Sequence, residues 1–197
     1  MSKIYGLTGG IAAGKSTVLA MFREHGFIIF DADSFAREVV IPNSIGLKQI
    51  VDQFGEQILN ADGTLNRAKL GSIVFSDNEQ LQKLNHITRP LIKEKILETI
   101  DLIKKSTSKT IAIFEIQLLF EGGYENYFDG VISLYERPEI QLDRLMKRND
   151  LSKKVAQDRI NSQLSMDEKK RRADFVIDNS GDLKHLEQEF EKLMSQL

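Results

Sequence analysis

Gly9-Gly10-Ile11-Ala12-Ala13-Gly14-Lys15-Ser16, directly behind Lys3-Ile4-Tyr5-Gly6-Leu7-Thr8, is the stretch from which the rest of the chain is read. Its spacing is G-x-x-x-x-G-K-[ST], the P-loop pattern, set between a short apolar strand and a helix-like segment as phosphate cradling requires. Glycine lets the backbone take positive φ or approach closely, so that N–H donors can point at an anion. The helix that follows offers unpaired N–H groups and the positive end of its dipole at the same place. Lys15 adds a mobile charge for β and γ phosphates, and the Ser16 hydroxyl suits Mg²⁺. Gly10, Ile11, Ala12, Ala13, Gly14, Lys15, Ser16 and Thr17 are the candidate ATP-binding residues.

Outward from the loop, Val18, Met21 and Phe22 form an apolar stripe at helical spacing, and Gly26 stands where a C-cap glycine is expected. Phe27-Ile28-Ile29-Phe30 reads as a buried parallel strand ending in Asp31-Ala32-Asp33, with a helix from Ser34 to Val40 stopped by Pro42. Residues 43–107 turn mostly helical. Asn66 is a cap, Ser76-x-x-Glu79 resembles a capping box, and Ile92, Ile96, Ile100 and Ile103 mark a longer amphipathic helix. Strands return at Ile111-Ala112-Ile113-Phe114, at Val131 to Tyr135 and at Phe175-Val176-Ile177, and Leu183, Leu186, Phe190 and Leu193 give the apolar stripe of a closing helix. Five strands interleaved with helices predict an α/β fold with a doubly wound parallel sheet. The expected organisation is one P-loop kinase domain with a core of about 1–42, 108–137 and 173–197, a helical substrate insert at about 43–107 and a lid at about 138–172.

Bulk composition narrows the classes. The chain has 197 residues, 41% hydrophobic and 28% charged, enough for one α/β domain with inserts. A net charge of −2 argues against a nucleic-acid or anionic-membrane partner. No cysteine is present for disulfides or thiolate zinc sites, and His25, His86 and His185 are too scattered to suggest a metal site. No apolar run approaches membrane-spanning length, so a cytoplasmic protein without a membrane or protein partner is expected.

A P-loop alone does not separate kinases from switches and motors. The chain lacks an N-K-x-D base-reading motif and is too short for a large ATPase, which leaves a small-molecule kinase. Asp31 and Asp33 end the second strand, at the edge where open sheets bind ligands. Asp33 either accepts a proton from an attacking hydroxyl or N-caps the following helix, and position alone does not choose. Arg37, one turn on, holds an acceptor phosphate or pairs with a nearby acid. Glu115 ends the third strand as a Walker-B-type carboxylate would, or as an ordinary strand-end acid. Arg144 and Arg148, at i and i+4, share a helix face and reach one phosphate or line a solvated surface. Lys169-Lys170-Arg171-Arg172, among Asp167, Glu168 and Asp174, reads as a solvated helix face.

Taken together these residues resemble the dephospho-coenzyme A kinase family. The shared pattern runs through Gly6 to Thr17, Asp31 to Arg37, Phe54 to Arg67, Leu118 to Glu121, Gln141 to Arg144 and Ala173 to Gly181, in order along nearly the whole chain. The resemblance implies ATP-dependent phosphorylation of the ribose 3′-hydroxyl of dephospho-coenzyme A, the last step of coenzyme A synthesis. It implies Asp33 as base, the insert as the coenzyme-A domain and the Arg-bearing segment as the lid. Asn179 and its neighbours fall near the adenine of ATP. On this reading Lys15, Asp33, Arg144 and Arg148 are catalytic, Thr8, Asp33 and Arg37 serve the acceptor, and Ser16 and Glu115 organise Mg²⁺. The chain departs from the family where D-x-P-L becomes Glu115-Ile116-Gln117-Leu118 and where H-P becomes Arg89-Pro90. A nucleoside or nucleoside-monophosphate kinase, and a non-catalytic nucleotide-binding module, are the alternatives.

Overall fold

The apolar run behind the P-loop forms strand β1, Lys3–Gly9, buried from Ile4 onward because it has sheet neighbours on both sides and helices on both faces. The computed structural model describes residues 2–197. In chain order the elements are β1, α1 (Lys15–Glu24), β2 (Ile28–Asp31), α2 (Ala32–Glu38), α3 (Ile45–Phe54), α4 (Arg67–Val74), α5 (Asn78–Lys105), β3 (Ile111–Glu115), β4 (Gly130–Tyr135), α6 (Pro138–Asn149), α7 (Lys153–Asn161), α8 (Met166–Arg172), β5 (Phe175–Asp178) and α9 (Leu183–Met194). The sheet is five-stranded in the order β2-β3-β1-β4-β5, and every pairing is parallel. The fold is the expected doubly wound α/β sheet. The chain leaves β1 toward β2 and leaves β4 toward β5, so the strand order reverses between β1 and β4, the place where open sheets bind ligands.

The chain divides into two units, one running to Asp31 and resuming at Ile103–Leu197, the other Ala32–Leu102. In the sheet unit, Tyr5, Leu7, Ile113, Ile132, Leu134 and Ile177 from the strands close against Val18, Leu19 and Phe22 of α1 and Leu186, Phe190 and Leu193 of α9. Helix α1 ends as its glycine predicts. Gly26 takes φ 81, its N–H donates to the Arg23 carbonyl, and Phe27 N–H donates back to Phe22. The Phe22 and Phe27 rings meet across this cap at 5.1 Å, so the motif both satisfies the last carbonyls and points the chain into β2. Leu183 departs from the expected stripe of α9: it sits at the helix start and is 60% exposed.

The Ala32–Leu102 unit has its own core of Val40, Ile50, Phe54, Ile58, Leu70 and Val74. Asn66 caps α4 through Lys69 N–H as expected. The capping box expected at Ser76 is absent. Ser76 Oγ donates to the Ser72 and Ile73 carbonyls at the end of α4, and Asp77 accepts from Glu79 N–H at 2.8 Å instead. Helix α5 then continues through Pro90 without a break. Among the described residues no helix is long and apolar enough to cross a membrane.

Candidate active site

Residues 10–14 turn from β1 into α1 with Ala12 at φ 66 and Gly14 at φ 86, two left-handed positions that curl the peptide groups around the helix N-terminus. The curl is gripped by side chains from distant sequence. Gly10 N–H donates to Met166 Sδ at 3.2 Å, and Ile11 N–H to Gln163 Oε1 at 3.0 Å. Gln141 Nε2 donates to the Ile11 carbonyl at 2.9 Å and Asn179 Nδ2 to the Ala13 carbonyl at 2.8 Å. Glycine is needed at position 10 for this approach: a Cβ there would run into Gln141 Nε2 and Met166 Sδ.

A cavity of about 660 Å³ opens over the loop, lined by Ile11 to Ser16 together with Glu115, Gln117, Arg144, Lys147 and Arg148. The volume suits a small-molecule ligand. Lys15 Nζ lies across the loop, 3.3 Å from the Gly9 and Gly10 carbonyls. Arg144 and Arg148, one turn apart on α6, both reach the cavity, so five of the sequence-derived groups converge here: Lys15, Ser16, Glu115, Arg144 and Arg148. Ser16 and Glu115 are hard-oxygen donors in the lining of that cavity. Among the described residues no cluster of three His, Cys, Asp or Glu could hold a metal alone. That donor set fits Mg²⁺, which keeps waters and takes the rest of its shell from substrate phosphates.

Thr17 lines a second cavity of about 390 Å³ with Ala12, Gly14, Arg144, Asn179, Gly181 and the exposed Leu183. Thr8 lies beneath the site: it is fully buried, and its hydroxyl donates to the Gln117 carbonyl at 3.0 Å. Asp33 and Arg37 belong to the Ala32–Leu102 unit, exposed on α2. Asp33 lies inside the first turn of that helix, not ahead of it as an N-cap for a helix from Ser34. Arg89 lines a small pocket of α5 with Gln82, Asn85 and His86, so an imidazole stands one turn before the Arg-Pro pair.

Two groups escaped the sequence reading. Glu136 follows β4 at the switch edge of the sheet and is fully buried. Its Oε2 accepts from Arg144 Nη1 at 2.5 Å. Burial pushes its carboxyl up to about 7, against the opposing pull of Arg144 and Lys15. The signal was available, since an acid directly after an apolar strand occupies the ligand edge. In the basic run Lys169–Arg172 the last three residues are exposed as expected, but the first is not. Lys169 is fully buried, donating to the Gln117 carbonyl at 2.9 Å and paired with Glu121 at 2.9 Å, and burial lowers its ammonium pKa. Lys170 lies over the Tyr135 ring, and Arg172 lies over Phe120 and pairs with Glu125.

A dephospho-CoA kinase family model matches residues 3–185. The chain belongs to the dephospho-CoA kinase family. It is 50% identical to the dephospho-CoA kinase of Listeria monocytogenes over 93% of this chain and 91% of that protein. With the dephospho-CoA kinase of Geobacillus kaustophilus the identity is 46% over 92% and 90%. The solved dephospho-CoA kinase of Campylobacter jejuni superposes with a TM-score of 0.76 at 34% identity, covering 100% of this chain and 97% of that one. The resemblance read from Gly6–Thr17 and Asp31–Arg37 therefore extends to the family model and to the solved fold.

Proposed function

We propose that this kinase transfers the γ-phosphoryl group of ATP in line to the ribose 3′-hydroxyl of dephospho-CoA, with Lys15, Asp33, Arg144 and Arg148 as the catalytic groups. Family membership carries the reaction, ATP-dependent conversion of dephospho-CoA to coenzyme A and ADP. It does not favour the nucleoside-kinase or non-catalytic alternatives. The observation that carries the residue assignment is the convergence of Lys15, Ser16, Glu115, Arg144 and Arg148 around one cavity over the P-loop.

Each side chain then has a role set by its chemistry. Backbone N–H groups of the loop between Ala12 and Ser16, beyond the Gly10 and Ile11 groups already held by Met166 and Gln163, and the Lys15 ammonium bind the phosphate chain. Ser16 and Glu115 would hold Mg²⁺, which when bound neutralises charge on the β and γ phosphates. Arg144 and Arg148 meet the oxygens of the group in transfer, where planar guanidinium forks add geometry as well as charge. Asp33 takes the proton of the 3′-hydroxyl. Arg37 binds the acceptor, and Thr8 serves it indirectly by fixing the Gln117 carbonyl. We assign acceptor binding to the helical insert at about 43–107 and closure over the phosphates to the lid at about 138–172, and we place the enzyme in the cytoplasm without an obligatory partner.

The test is a coupled ADP-release assay with dephospho-CoA, adenosine and AMP as competing acceptors at fixed ATP. Dephospho-CoA should outrun both, and Asp33→Asn should lower kcat by roughly 10²- to 10⁴-fold, the range for a general base. Turnover within a few-fold of the parent removes Asp33 from the chemistry, and faster turnover of adenosine or AMP removes the acceptor assignment.

A further inference from the structure

Glu136 has no part in the reading above, yet among the described residues it is the only fully buried acid. It stands one residue beyond β4, whose Leu134 registers with Gly9 at the entrance to the P-loop. Its Oε2 holds Arg144 Nη1 at 2.5 Å, while its Oε1 is buried with no hydrogen-bond partner. A half-satisfied buried carboxylate is not a device for stability. Replacing such a pair by apolar groups is commonly neutral or better, and leaving one oxygen unpaired adds a further penalty. Burial also outweighs both nearby cations in setting its proton affinity, so ionising it opposes folding.

What the contact does achieve is geometric. Arg144 is a long, partly exposed side chain that lines both cavities beside the loop. Its five N–H donors lie in one rigid plane. A grip on Nη1 fixes that plane while leaving the opposite edge of the fork for phosphate oxygens. We propose that Glu136 is a positioning residue that holds one edge of the Arg144 guanidinium so that the other edge meets the phosphoryl group in transfer. This rests on the reading that Arg144 neutralises that group. A strained or costly contact retained beside a reacting centre is the expected signature of such a role.

The test is a double-variant cycle in the coupled assay with ATP and dephospho-CoA, using Glu136→Leu, Glu136→Asp, Arg144→Ala and the two combinations. Glu136→Leu should lose roughly 10- to 30-fold in kcat, the factor set by rotamer freedom returned to a long arginine, with KM for ATP changed by less than about three-fold. Glu136→Asp keeps the charge but withdraws it by a methylene, and should lose roughly three- to ten-fold. It decides the matter if the leucine variant does not fold. In the Arg144→Ala background neither change should lower kcat further, because the residue through which Glu136 acts is gone. Losses that multiply in the combined variants, or wild-type kcat in both single variants, overturn the proposal. No turnover of dephospho-CoA by the unsubstituted enzyme overturns the functional reading and this inference with it, whereas turnover with multiplicative losses overturns Glu136 alone.

Discussion

Glu136→Gln should abolish a pH dependence of stability that the wild-type chain carries at its active site. The folded carboxyl is raised from 4.5 to about 7, so ionising it costs about 3 kcal/mol more in the folded chain than in the unfolded one. Because the folded state binds the proton more tightly, the contribution of Glu136 to stability is fully present below about pH 4.5 and is lost as pH rises through about 7. Between pH 5 and pH 8 the loss amounts to about 2.5 kcal/mol, equivalent to roughly 5–10 °C in Tm for a domain of this size. Glutamine has nearly the shape of the protonated acid and no charge, so the variant escapes the loss. Any change in the hydrogen bond to Arg144 that does not depend on pH shifts both ends of the comparison equally and cancels. The assay is urea unfolding of both proteins from pH 5 to pH 8, with the difference in unfolding free energy plotted against pH. The variant should gain on the wild type by about 2 kcal/mol or more across that range. Parallel curves, or a variant that loses ground as pH rises, would falsify the reasoning.

Lys169→Met leaves Glu121 and the Gln117 carbonyl without their buried cation, and should cost about 3 kcal/mol in urea unfolding. Adding Glu121→Gln, which keeps an acceptor for Leu164 N–H, should recover part of that loss; no recovery would mean that the charge pair is not what is being broken. Gly10→Ala drives a Cβ against Gln141 and Met166, and should lower the urea midpoint by an amount equivalent to about 1–3 kcal/mol at unchanged slope. Gly26→Ala meets no neighbour within 4 Å but must hold φ 81, so its cost of about 1–2 kcal/mol is purely conformational and should leave kcat untouched.

The parts of this structure that the sequence made legible are those governed by local physics. Gly26 announces a left-handed cap, Asn66 a side-chain cap and Gly9–Ser16 a phosphate loop, because each depends on a few consecutive residues. The misread parts are decided by partners far along the chain. Lys169 looks like a solvated lysine in a basic run, and only the arrival of Glu121, 48 residues earlier, makes its burial tolerable. Glu136 looks like a surface acid before a proline-led helix until Arg144 folds back over it. Ser76 and Asp77 compete for one cap, and the end of α4 takes the serine hydroxyl first. Pro90, of a residue type that ordinarily interrupts a helix, lies inside α5. The same division holds in the site: the P-loop and the Arg144/Arg148 pair followed from spacing, whereas the side chains that grip the loop from Gln163, Met166 and Asn179 did not.

The sheet order has a consequence for how the chain folds. Strands β2 and β3 are neighbours, with Asp31 registered on Glu115, although about 80 residues separate their facing ends, and closing a loop of that length costs about 4 kcal/mol beyond the constant term. The Ala32–Leu102 unit carries a core of its own, built from contacts local to that segment. If it collapses first, the open loop shrinks to an effective length of roughly ten residues and the closure cost falls by about 2 kcal/mol, or some 20- to 30-fold in rate. The segment between β2 and β3 would then act as the kinetic hinge of sheet assembly. Core substitutions such as Ile50→Val should slow refolding of the whole sheet, even though none of those residues belongs to a strand.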